Sequence, residues 1–137
     1  MSVVIPHAAI SRIASSTDPK KAILDAAGDL SGVRLLGDVV LIGTYIRPEK
    51  TSGGIIRPDL NVQEDVWQGK VGLVLKLAPD AFADTPEYSF HGNVAAPGDW
   101  CVYKVGDAWS VQVNGCPCRI VRDVNIRMVV DNPNIVF

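Results

Sequence analysis

From Val33 onward, apolar residues come in short runs divided by glycine, proline and aspartate. Residues 39–42 are Val-Val-Leu-Ile, followed by Tyr45 and Ile46. Residues 71–75 are Val-Gly-Leu-Val-Leu, and 100–103 are Trp-Cys-Val-Tyr. Residues 109–113 alternate apolar and polar, which predicts a strand with one wet face. Asn114-Gly115 is a strong hairpin-turn pair, because both residues tolerate positive φ. Residues 119–121 and 127–130 complete the set. Short strands parted by turns predict an all-β fold, a small barrel or sandwich. Such sheets leave edges that must be paired or covered, and oligomerisation is one way to do so. Two long segments, 47–69 and 78–98, interrupt the strands. Loops of that length are uncommon in a compact domain unless they are functional or mobile.

The first 32 residues follow a different pattern. Residues 1–17 are small, polar and weakly apolar, and Thr17-Asp18-Pro19 precedes a short helical segment. Asp18 is a suitable N-cap, Pro19 suits the first helical position, and Gly28 suits the end. Ile23, Leu24 and Ala27 form a narrow apolar stripe on a helix of about two to three turns, too short to stand alone. The predicted organisation is therefore an arm with a short helix over residues 1–32 and a β domain over 33–137.

Composition supports a folded domain: 47% of residues are hydrophobic and 20% charged. The nine prolines and twelve glycines favour β architecture over a helical bundle. A formal net charge of −2 argues against nucleic-acid binding, which needs a basic surface. Arg119, Arg122 and Arg127 are close in sequence, but Asp123 interrupts them. The apolar runs are far shorter than the ~20 residues of a membrane span. The N-terminus lacks a basic region ahead of an apolar stretch, so no secretory signal and no secretion are expected. Three cysteines cannot all pair within one chain, which favours thiols in a reducing compartment.

Five pieces of the chain, in order, resemble the GroES-type co-chaperonins. Leu36-Gly37-Asp38-Val39-Val40-Leu41-Ile42 is similar to that family's opening strand. Ser52-Gly53-Gly54-Ile55-Ile56 is similar to its mobile loop. Gln68-Gly69-Lys70-Val71-Gly72-Leu73-Val74 resembles the strand after that loop. Pro97-Gly98-Asp99-Trp100-Cys101-Val102-Tyr103 resembles a Gly-Asp turn and its strand. Arg122-Asp123-Val124-Asn125-Ile126 resembles the approach to the last strand. The similarity covers about residues 33–130 and implies a GroES-like β-barrel. It also implies a ring of subunits whose loop docks on the apical domains of a large chaperonin. Gly53, Gly54, Ile55, Ile56 and Arg57 would form that partner-binding loop, with Ile55 and Ile56 docking.

Several residues depart from the family pattern. Arg57 stands where the family has a third apolar residue, and a charge in an apolar groove costs desolvation. Pro58 stiffens the segment and biases Arg57 to extended geometry. Val39 replaces an arginine common in the opening strand. Trp67 sits where the loop should be most polar, and aromatic anchors dominate interfaces. Residues 78–98 hold Phe82, Tyr88, Phe90 and His91, an unusually aromatic set for a co-chaperonin. The first 33 residues have no counterpart. Extensions and aromatic loops suit a protein that knits neighbours into a shell, and phages encode co-chaperonin-like proteins. The expected function is thus non-enzymatic: a homo-oligomeric phage virion component, such as a capsid decoration or head protein. The alternative is a functional co-chaperonin. Expected partners are capsid-shell or chaperonin surfaces, with no nucleic acid or membrane, in a virion or the host cytoplasm. Expected oligomer contacts are Ile23, Leu24, Phe82, Tyr88 and Phe90.

No catalytic residue, cofactor or metal is expected. Cys116-Pro117-Cys118 reads as a turn with two small apolar residues, against half a metal site, a redox pair or an intermolecular disulfide. Zinc needs four ligands, and Cys101, His7 and His91 are scattered. His7 and His91 lack a nucleophile and orienting partner and read as surface or interface residues. Glu64, Asp65, Asp80, Asp84 and Glu87 lie on loops, where carboxylates are usually solvated. Gly53-Gly54 is followed by no Gly-Lys-Ser/Thr and is not a phosphate loop. Trp100 reads as core, and Trp109 opens a strand that can face either way.

Overall fold

The computed structural model describes residues 18–46 and 70–136. Among these residues the architecture is mostly β: one antiparallel sheet of six strands and one short α-helix. The strands are β1 (Val39–Thr44), β2 (Val71–Leu77), β3 (Trp100–Tyr103), β4 (Ala108–Val113), β5 (Cys116–Arg122) and β6 (Ile126–Val130). Their order across the sheet is β4-β5-β1-β2-β3-β6. The expected all-β class holds, and among the described strands the sheet does not close on itself into a barrel. β4 and β6 remain its two edges among the described strands. Register shifts at Leu41/Ile42 and Val102/Tyr103 are the bulges that bend such a sheet.

The expected turn at Cys116-Pro117-Cys118 is instead the start of β5. The turn is confined to Asn114 (φ 51°) and Gly115 (φ 79°), and pairing resumes at once with Val113 opposite Cys116. Two consecutive positive φ values make a tight hairpin that needs no further residue. The ladder between β5 and β1 ends at Cys118, opposite Gly43. The missing N–H of Pro117 thus falls where pairing with β1 has stopped.

Both faces of the sheet are covered. On one, Val40, Ile42, Val74, Cys101, Tyr103 and Val121 are buried beneath Ala95 and Phe82. On the other, Leu41, Leu73, Trp100, Cys116 and Cys118 pack against helix α1 (Pro19–Ala27). That helix starts as its sequence predicts. The Asp18 carboxylate accepts from Lys21 N at 3.2 Å, and Pro19 occupies the first turn. Gly28, at φ 67°, donates to the Leu24 carbonyl at 3.0 Å. The buried stripe is Ala22, Ile23 and Ala27; Leu24 is half-exposed. Ile23 is enclosed because strand β1 has no side chain at Gly43, where a Cβ would lie 2.4 Å from Ile23 Cγ2. Burying one isoleucine this fully stabilises the docked helix by about 1.5–3 kcal/mol.

Polar contacts fix the helix and its linker to the sheet. Asn114 Nδ2 donates to the Ala27 carbonyl at 2.6 Å and to the Asp29 carbonyl at 3.3 Å. Lys76 Nζ on β2 donates to the carbonyls of Leu30 and Val33. At the other end, the Tyr45 hydroxyl bonds Asn134 and its ring meets Trp100 edge-on at 5.2 Å.

Candidate interaction surfaces

The predicted partner-binding loop, Gly53, Gly54, Ile55, Ile56 and Arg57, lies outside the described residues, as do Trp67 and His7. The second long segment is described and contains no strand or helix. Within it, Thr85 and Tyr88 exchange backbone hydrogen bonds at 2.8 and 3.2 Å. Asp84 accepts from Phe90 N at 2.8 Å. Phe90 is the centre of an aromatic group, 5.2 Å from Phe82 and 4.7 Å from Tyr88, both edge-on. Phe82, Tyr88 and Phe90, expected as oligomer contacts, thus form one cluster within the chain. Phe82 roots it in the core, while Tyr88 stands half-exposed.

Asp123 anchors this segment. Its carboxylate is buried and accepts from Phe82 N at 2.9 Å and Val124 N at 2.7 Å. Phe82 holds a left-handed φ of 61°, uncommon for a bulky residue, and the Asp123 bond secures it. Around this anchor a cleft gathers Asp38, Asp80, Asp84, Glu87 and Tyr88. Arg122 crosses it and pairs with Asp38 at 2.8 Å, holding that carboxyl below its usual range.

The three arginines do not form a patch. Arg122 points outward to Asp38, and Arg127 is exposed on β6. Arg119 is fully buried on the face of the sheet that carries Val121 and Tyr103. Its Nη1 donates to the Tyr103 hydroxyl at 2.9 Å, with the guanidinium 5.8 Å from the ring centre. Burial pushes the Tyr103 hydroxyl up to about 12, against the pull of Arg119. Nothing in the local sequence Cys-Arg-Ile-Val distinguishes a core arginine from an outward one. Strand alternation was the available signal, since Arg119 shares parity with Val121.

All three cysteines are buried thiols. Cys116 and Cys118 share the α1 face of β5, and Cys101 lies on the opposite face. Burial pushes Cys101 up to about 12. Cys118 is raised by its hydrogen bond to Cys116 and by burial, while that bond lowers Cys116. Among the described residues, no three His, Cys, Asp or Glu side chains gather as a metal site. None of the described helices is long and apolar enough to cross a membrane.

Of the predicted oligomer contacts, Ile23 is enclosed within its own chain, so on α1 it is Leu24 that offers surface. Large apolar side chains are exposed on both edge strands and, at Leu36 and Ile135, outside the sheet as well. Trp109 on β4 is 78% exposed, and Met128 and Val129 on β6 are 48% and 49% exposed. Edge strands commonly carry lysine, proline or other devices that deter pairing. β4 has no charged residue and no proline over its six residues, Ala-Trp-Ser-Val-Gln-Val. No protein-family model matches the chain, and comparison with curated proteins gives no match.

Proposed function

We propose that this chain is a non-enzymatic assembly protein, a GroES-like β domain used as a phage virion component such as a capsid decoration or head protein. The observation that carries the reading is the pair of sheet edges bearing exposed Trp109, Met128 and Val129. Apolar side chains exposed on an edge strand are a liability in a lone domain and an asset in an assembled one. The docked helix adds support. Ile23 and Ala27 of α1 are part of the core, so the helix is fixed to the sheet. The test is direct detection in purified phage particles. A stoichiometric copy number is expected, and absence from the particle ends the virion reading.

The second reading is a co-chaperonin, favoured by the Gly53-Gly54-Ile55-Ile56 segment. It expects saturable, ATP-requiring co-sedimentation with a large bacterial chaperonin and inhibition of its ATPase. Ile55→Asp should abolish that binding. No binding at tens of micromolar, weaker than about −6 kcal/mol, leaves the structural role standing.

A further inference from the structure

We infer that Asn114 is a spontaneous deamidation site that the docked helix guards, and whose conversion to a carboxylate unfastens the end of α1. Of the six asparagines in the chain, Asn114 alone is followed by glycine. The others precede valine, isoleucine or proline. A glycine next in line leaves its backbone nitrogen unhindered, because no Cβ crowds the approach. The reaction needs water and no enzyme. Gly115 N attacks Asn114 Cγ, and that bond forms as the Cγ–Nδ2 bond breaks. The Gly115 proton leaves with the amide nitrogen as ammonia. Water then opens the cyclic imide at either carbonyl, giving aspartate or isoaspartate. Nothing is oxidised or reduced.

The fold sets both the guard and the consequence. Asn114 lies exposed at the tip of the β4–β5 hairpin, within reach of water. Its Nδ2 nonetheless donates to the carbonyls of Ala27 at 2.6 Å and Asp29 at 3.3 Å. The same nitrogen lies 3.6 Å from where a Cβ at Gly28 would stand. The atom that must leave is thus clasped by the end of α1. Ring closure requires the amide to swing back onto Gly115 N, so it requires the helix to let go. After conversion the donor is gone, and an ionised carboxylate, which can only accept, faces the oxygens of Ala27 and Asp29. Isoaspartate goes further. It routes the backbone through Cβ and adds an atom to a tight turn whose register, Val113 opposite Cys116, has no slack. The site therefore works in one direction. A helix that stays docked preserves its own fastening, and one that lets go for long enough loses it.

The test is peptide mapping of the full chain by mass spectrometry after incubation in mildly alkaline buffer, scoring aspartate and isoaspartate at every asparagine. Conversion is expected at Asn114 ahead of all the others. It should run at least about tenfold faster in guanidinium than in the folded protein, because folding holds the site closed. Ile23→Val loosens α1 away from the turn and is expected to speed conversion in the folded protein by about two- to tenfold. Asn114→Asp stands in for the product and is expected to raise amide hydrogen exchange in the last turn of α1 by about three- to tenfold. No conversion at Asn114 in the unfolded chain overturns the site. Equal rates in folded and unfolded protein, or in Ile23→Val and wild type, overturn the guard by α1. Wild-type exchange in Asn114→Asp overturns the consequence for the helix.

Discussion

Gly43 and Ile23 fit together because the first lacks what the second occupies. A Cβ at Gly43 would sit 2.4 Å from Ile23 Cγ2 and 3.3 Å from Leu75 Cδ1. The helix lies on β1 only because that strand has a hole in its surface. Gly43→Ala is expected to destabilise the fold by about 1–3 kcal/mol through overpacking. Ile23→Ala alone should cost about 2–5 kcal/mol through a cavity. The double variant should cost clearly less than the sum, because each change relieves the other. Urea unfolding of the four proteins gives the coupling, and strict additivity would mean the helix docks elsewhere.

Asp123 connects the β5–β6 link to the aromatic segment through two backbone N–H groups. Asp123→Asn keeps the shape but turns one acceptor into a donor that meets an N–H. The expected loss is about 2 kcal/mol, since bonds to a charged acceptor are the stronger kind. Loss of hydrogen-exchange protection should concentrate at Phe82 and Phe90. Uniform loss across the sheet would contradict an anchoring role.

Buried thiols and a buried phenol make the fold sensitive to alkali. Cys101 titrates near 9.0 when unfolded and is pushed up to about 12 in the fold, chiefly by burial. The folded state therefore keeps its proton where the unfolded chain has released it. Stability is full below pH 9, falls as pH rises, and is lost progressively toward pH 12. The expected loss from this group is about 2 kcal/mol by pH 10.5. Tyr103 adds to the same limb above about pH 10. Cys118, raised by Cys116 and by burial, adds as well. Urea midpoints from pH 8 to 10.5 should fall, with a shallower slope for Cys101→Ala. An unchanged slope would mean Cys101 is open to solvent.

Asn114 serves two structures at once: it takes the left-handed turn at φ 51° and donates to the Ala27 carbonyl at the end of α1. Asn114→Gly preserves the turn and removes the donor. It should cost about 0.5–1.5 kcal/mol, the net value of a hydrogen bond. The loss should appear as faster exchange in the last turn of α1 with the hairpin intact. Equal loosening of β4 and β5 would show that the turn itself had failed.

Local signals carried most of the secondary structure. Asp18, Pro19 and Gly28 set the helix, and Asn114-Gly115 set the hairpin, because caps and tight turns depend on residues close in sequence. What stayed hidden depends on residues far apart. Leu24 has the same apolar character as Ile23, yet Gly43 and Leu75 receive only Ile23. Trp100 opens β3 and Trp109 is second in β4, but β4 is an edge among the described strands and β3 is not. Arg119 and Arg122 differ by three positions and so by face, one buried against Tyr103 and one paired with Asp38. The Cys116-Pro117-Cys118 turn expectation followed proline's usual role, and strand order explains why proline fits β5 here. Strand order, which decides edge, face and neighbour, is the quantity that local pattern does not contain.

The Asn114–Ala27 bond also has a consequence in time. Its partners are 87 residues apart, and the helix precedes the hairpin. During synthesis at about 5–20 residues per second, α1 emerges on the order of ten seconds before its last carbonyl can be matched. The strands that receive Ile23 arrive late as well, β5 last among them. Of the described elements, the earliest made is thus among the last to be fastened. Any partner that reaches the arm while the chain is still growing meets it before the fold has claimed it.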